Sequence, residues 1–246
     1  MKNIKWIIIP LAALVVWGTS AASAEKPKDQ AKPSTGQAQS QKPPVPLPVY
    51  KPPVRGAPRG RVGGGTRGLQ KSLLGLAVLA PDHTGLTTRA QPDLYWHLSE
   101  PTSSPIEFTL IEENAIRPIL ETQILSPSVP GIQRIQLSDY DVRLKLGTEY
   151  RWFVAIVADP RRRSKDILAG GFIERIEPPA ALEQQLTEER AGQAPFIYAA
   201  AGIWYDALAA LGKMIHASPG DAQLRAQRAA LLDQVGLPEI AISETR

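Results

Sequence analysis

The 246-residue chain contains no cysteine, two methionines, three histidines and only 6% aromatic residues. Without cysteine there can be no disulfide, no thiolate metal site and no thiol nucleophile, so the folded part has to hold together by its core alone. His83, His97 and His216 lie far apart and show neither an H-E-x-x-H pattern nor a paired-ligand spacing. Structural or surface roles are expected for them, with no metal and no cofactor. Long apolar runs are also scarce. The one at residues 7–17 has eleven residues, against about twenty for a membrane-spanning helix, so no permanent transmembrane anchor is expected.

That short run follows Lys2 and Lys5 and precedes Ala22-Ser23-Ala24, the small-x-small pattern cut by signal peptidase. Residues 1–24 therefore read as an export signal cleaved after Ala24. The expected mature protein starts at Glu25 and is periplasmic or secreted.

Charge is unevenly placed. The formal net charge is +4, yet residues 25–71 carry ten Lys or Arg against two acids, while the chain beyond Lys71 carries sixteen against twenty-two. The body is acidic and the basic character belongs to its leader-proximal segment, so no nucleic-acid partner is expected. That segment holds nine prolines, including Pro43-Pro44-Val45-Pro46-Leu47-Pro48. Residues 25–60 are expected to form a disordered, basic, Pro-rich linker. Its scattered charge favours a soluble spacer over a tail attracted to anionic lipid or cell-wall polymer. Gly63-Gly64-Gly65-Thr66-Arg67-Gly68 has G-x-G-x-x-G spacing but lacks the preceding strand and following helix that a dinucleotide site requires.

Residues 61–178 have the rhythm of an all-β domain, with short apolar segments separated by turn signals. Seven strands are expected, at 73–80, 93–98, 106–112, 117–124, 131–137, 149–158 and 167–176, with prolines at their ends. Leu146-Gly147 ahead of Tyr150 is the pattern of a tyrosine corner entering a central strand of an immunoglobulin-like or fibronectin-III-like sandwich. The sixth segment is apolar on both faces: Tyr150, Trp152, Val154 and Ile156 on one, Phe153, Ala155 and Val157 on the other. Trp96 and Trp152 are expected to meet in the core.

After Pro178-Pro179 the pattern is helical. Residues 179–240 are expected to form about three helices docked on the sandwich, plausibly on the Phe153 face, and 241–246 a flexible end. One helix covers 180–190. A second starts at Pro195 and carries the stripe Phe196, Ala200, Ile203, Trp204, Ala207, Leu208, Leu211 and Ile215. A third follows the cap Ser218-Pro219-Gly220-Asp221. The run from Gly202 to Pro219 resembles half of a tetratricopeptide repeat. A single such junction falls short of the roughly three units a repeat array needs.

An ordered series of motifs carries a wider resemblance. Gly64-Gly65-Thr66-Arg67-Gly68, Leu79-Ala80-Pro81, Gly85-Leu86-Thr87, Gln91-Pro92-x-x-Tyr95-Trp96, the 105–110 segment, Tyr150-Arg151-Trp152-Phe153 and Asp159-Pro160-x-x-Arg163-Ser164-x-Asp166 together resemble domain-of-unknown-function family 928, over about residues 61–240. The resemblance implies an exported bacterial protein with no assigned activity. It also implies that Thr66-Arg67-Gly68 belongs to the domain, as a strap.

No catalytic constellation is legible: there is no G-x-S-x-G elbow, and a Ser-His-Asp triad, which converges only in space, stays open. Glu112-Glu113 and Asp139-x-Asp141 are expected on solvated turns. The surface candidate is the loop holding Asp159, Arg161, Arg162, Arg163, Lys165 and Asp166. Its cations either clamp a carboxylate or phosphate or pair with the two acids to shape the loop, and the second reading is favoured. The function expected is a non-catalytic binding module of the bacterial envelope, with an unknown envelope protein or polymer as partner. The alternatives are a hydrolase with a site on the end loops and a tethered structural spacer.

Overall fold

A computed structural model describes residues 45–54, 60–63, 75–186 and 192–245. The export signal at 1–24, the linker up to residue 44 and the Thr66-Arg67-Gly68 strap lie outside the described residues.

The protein is mainly β with helices at its C-terminal end, and the described strands number eight where seven were expected. They are β1 (Leu76–Val78), β2 (Gly85–Thr87), β3 (Asp93–Leu98), β4 (Ile106–Glu112), β5 (Leu120–Ile124), β6 (Gly131–Gln136), β7 (Glu149–Ile156) and β8 (Ile167–Arg175). One sheet has the order β1-β3-β6 and the other β2-β8-β7-β4-β5. All pairs are antiparallel except β2 with β8. The extra strand, β2, has only three residues and its partner lies at the far end of the β region. A segment that short has no periodicity to read. β5 begins at Leu120, after Pro118, which has no amide to give the ladder.

Alternation decides which side of each strand is buried. On β4, Ile106, Phe108 and Leu110 are buried between half-exposed Glu107 and Thr109. The same side of the large sheet carries Tyr150, Trp152, Val154 and Ile156, and it shares one core with Leu94, Trp96 and Leu98 of the small sheet. Each large apolar side chain removed from water there contributes about 1.5–3 kcal/mol. Trp96 and Trp152 both lie in this core, where the aromatic neighbours of Trp152 are Phe108 and Tyr205. The sheets approach closely at Gly171, where an added methyl would come within 2.6 Å of the Ala80 side chain. At the turn into β7, the Lys145 backbone N–H donates to Tyr150 Oη at 3.1 Å.

Five helices follow instead of three: α1 (Ala180–Gln185), α2 (Ala194–Ala200), α3 (Trp204–Ala217), α4 (Ala222–Gln234) and α5 (Pro238–Glu244). The single helix expected from Pro195 is broken at Gly202, whose φ of +75° is left-handed, and a side chain there would meet the Lys51 carbonyl at 2.7 Å. Asp221 caps α4, accepting from the N–H groups of Gln223 and Leu224. The end expected to be flexible from residue 241 is instead held by α5: Ile240 and Ala241 are buried, and Glu244 pairs with Arg228.

Docking of the tail differs from the expected Phe153 face. Three consecutive residues of α3 reach into the β part. Trp204 Nε1 donates to the Leu79 carbonyl at 2.8 Å, tying the helix to the small sheet. Tyr205 Oη donates to the Phe172 carbonyl of the large sheet at 2.8 Å. Asp206, fully buried, accepts from Thr87 Oγ1 at 2.6 Å and from Thr88 N and Oγ1 at 3.0 and 2.5 Å. Such bonds to a buried carboxylate offset the cost of desolvating it. The amphipathic stripe of α3 thus bridges the two sheets, because its polar groups match the carbonyls and threonines at their shared edge.

The disordered linker expected through residue 60 does not extend over 45–54. Tyr50 is buried, packs edge-on against Trp204 and bonds His83 at 2.9 Å. Prolines offer carbonyls but no amides, and two α4 glutamines supply the donors: Gln227 to the Pro46 carbonyl at 3.3 Å and Gln234 to that of Pro48 at 2.9 Å. Gln234 also accepts from the Tyr50 N–H at 2.8 Å. Further along, Val62 and Gly170 exchange both backbone bonds at 3.0 Å. Arg61 donates to the carbonyls of Ala80, Val235 and Gly236. One guanidinium therefore joins the end of α4 to the β body.

Candidate functional site

The loop between β7 and β8 is shaped by its own charges. Asp159 accepts from the Arg161 N–H at 3.0 Å and from Arg162 Nε at 2.8 Å. The Arg162 side chain and then the Arg161 amide hold the Asp159 carboxyl below its ordinary range. Arg163 binds Asp166 through Nε at 2.6 Å and Glu107 of β4 through both terminal nitrogens. Its pKa is raised above the usual guanidinium value, first by Glu107 and then by Asp166. Residues 163–165 form a turn of 3-10 helix. Of the candidate cations, Arg162 and Arg163 are occupied in shaping the loop, while Arg161 and Lys165 are exposed.

This loop forms one wall of a groove of about 290 Å3 on the outer side of the large sheet. The floor is Phe153, Ala155, Thr109 and Leu168, and the rim holds Glu107, Glu121, Arg163 and Asp166. The Phe153 ring lies over Gly170, a position with no room for a side chain. Sequence reading singled out the loop and the greasy Phe153 face separately, and the structure brings them together. Glu107 was missed as a loop partner because its link to Arg163 spans 56 positions. Glu121 was missed because nothing in one strand reveals what its neighbours carry.

The other acidic candidates sit elsewhere. Glu112 pairs with Lys145 at 2.7 Å and Glu113 with Arg151 at 2.9 Å. Both line a polar hollow of about 470 Å3 with Asn114, Thr148 and Glu149. Asp139 lies within the 3-10 turn at Leu137–Tyr140 and Asp141 caps its C-terminal end. Among the described residues, no group of three or more acids and histidines is arranged to hold a metal ion. No helix of the described residues is long and apolar enough to cross a membrane.

Two sheets around one core, bridged at an edge by C-terminal helices, define a mainly β protein with a helical appendage. Residues 62–245 match the family model described as Domain of Unknown Function (DUF928), and the chain belongs to that family. No curated protein matches the chain.

Proposed function

We propose that the protein is an exported, non-catalytic interaction module of the bacterial cell envelope, which grips another macromolecule on its Phe153 face beside the 159–166 loop. The carrying observation is a groove whose floor is apolar and whose rim is charged, on a sheet face where, among the described residues, no α-helix contributes to the lining. The leader at residues 1–24 supports export. The tyrosine corner and the buried Trp96 support an immunoglobulin-like or fibronectin-III-like ancestry for the sandwich, although the parallel pairing of β2 with β8 departs from such folds. The α3–α4 hairpin is tetratricopeptide-like in its small-residue spacing and works here as a brace.

Charge states the partner's chemistry. Glu107 and Asp166 are taken up by Arg163, so the acid left open on the rim is exposed Glu121, and a protein segment that sets an apolar side chain on the Phe153 and Leu168 floor and a Lys or Arg against Glu121 fits it best.

A photo-crosslinking residue at Thr109 in the mature chain, used in intact cells, tests this reading. It should capture one partner that a crosslinker at exposed Leu125 does not, and Leu168→Lys should abolish that capture. Equal capture from both positions, or capture that survives Leu168→Lys, ends the proposal. Hydrolysis of an ester, glycoside or peptide that is lost on a single substitution in the body would overturn the non-catalytic part.

A further inference from the structure

On a different face of the molecule, the outer side of the small sheet meets the α3–α4 hairpin along a groove of about 460 Å3. Tyr95 on β3 and Arg134 on β6 are direct cross-strand partners there, and Ile132 lies two residues along the same side. The opposite wall brings Gly212, Ile215 and His216 from α3, Pro219 from the turn and Arg228 from α4. In a body with more acids than bases beyond Lys71, two guanidinium groups, an imidazole and a phenol converge on one hollow.

The polar groups are incompletely used. Tyr95 is 4% exposed, and its hydroxyl, near Arg134 and Arg228, makes no well-aligned hydrogen bond. Arg134 is 40% exposed and stands 3.9 Å from Asp93, an ion pair without a hydrogen bond, so its planar fork is free to take a second acceptor. Arg228 is bound through Nε at 2.6 Å and Nη2 at 2.5 Å to Glu244, which holds it in place and leaves Arg134, with its looser ion pair, as the guanidinium open to a ligand beside the His216 imidazole. Gly212 matters for shape: an added methyl would come within 2.8 Å of Tyr95 Cζ. Ile132, Ile215 and Pro219 provide an apolar surface beside these donors.

We infer that this groove binds a small oxyanion, a carboxylate or phosphate ester, carried on an apolar body. Arg134 takes two of the ligand's oxygens, the His216 imidazole lies beside the same charge, and the body rests on Ile132, Ile215 and Pro219. The volume falls within the roughly 300–1,000 Å3 of small-molecule sites.

Calorimetric titration of the full chain with phenyl phosphate, benzoate, inorganic phosphate and benzyl alcohol tests the inference. At least one of the first two should bind saturably, about tenfold tighter than inorganic phosphate, which lacks the body, and benzyl alcohol, which lacks the charge. Binding of phenyl phosphate alone assigns phosphate esters, and of benzoate alone carboxylates. Arg134→Gln and His216→Ala, both at exposed side chains, should each weaken binding about fivefold to tenfold. Leu168→Lys should leave it unchanged, which separates this site from the proposed partner face. No saturable heat for either aromatic anion up to about 10 mM, or wild-type affinity in both variants, overturns the site.

Discussion

Trp152 Nε1, in the middle of β7, donates to Tyr205 Oη on the first turn of α3 at 2.9 Å. The same hydroxyl donates its own hydrogen bond to the Phe172 carbonyl of β8. A single phenol therefore satisfies a buried indole and a strand carbonyl at once. Burial raises its pKa well above the usual phenol value, so it stays protonated and keeps both roles.

Tyr205→Phe keeps the ring and removes both bonds. The unpaired indole N–H should cost about 1–3 kcal/mol. Thermal unfolding followed by circular dichroism should show a midpoint lower by about 2–4 °C for each kcal/mol lost in a body of this size. An unchanged midpoint would show that the helices do not brace the sandwich through this bond.

Gln234→Ala tests how the Pro-rich 45–54 segment is held. The variant loses the acceptor for the Tyr50 N–H and the donor to Pro48, at a cost of about 1–2 kcal/mol spent locally. Chymotrypsin should cut after Tyr50 faster than in the wild-type chain, while the remainder keeps its spectrum. Equal cutting rates would mean the 45–54 segment is held by Tyr50 packing alone.

His97, half-buried on β3, has its pKa lowered by burial. The unfolded chain then takes up a proton at a pH where the folded chain does not, so this contribution to stability is present above the unfolded value of about 6.5 and is lost as pH falls through that value towards the folded one. Urea midpoints measured between about pH 7.5 and 5.5 should fall more steeply for the wild type than for His97→Gln. Parallel slopes would remove His97 as the source.

Much of the architecture is readable from residues close together in the chain. The alternation in Ile106-Glu107-Phe108-Thr109-Leu110 assigns a strand and its buried side, and Leu146-Gly147 before Tyr150 marks a turn that enters a strand. Short pieces with distant partners are not readable: β2 gains its identity from β8, and α5 from packing against α4. The order of residues 45–54 is hidden from a local reading for the same reason. A proline tract looks unable to fold until Gln227 and Gln234, more than 180 positions away, offer the donors its carbonyls need.

The candidate sites divide along the same line. The 159–166 loop was visible as a cluster of charge, but which of its arginines stays available was decided by Glu107 on another strand. Tyr95, Arg134, His216 and Arg228 carry no shared pattern in the chain and meet only when β6 pairs with β3 and α3 crosses behind them. Local sequence determined strand, turn and cap, because those depend on spacing and on the chemistry of neighbours. Tertiary structure alone decided which polar groups found partners and which were left facing a groove, because that depends on distances no linear order encodes.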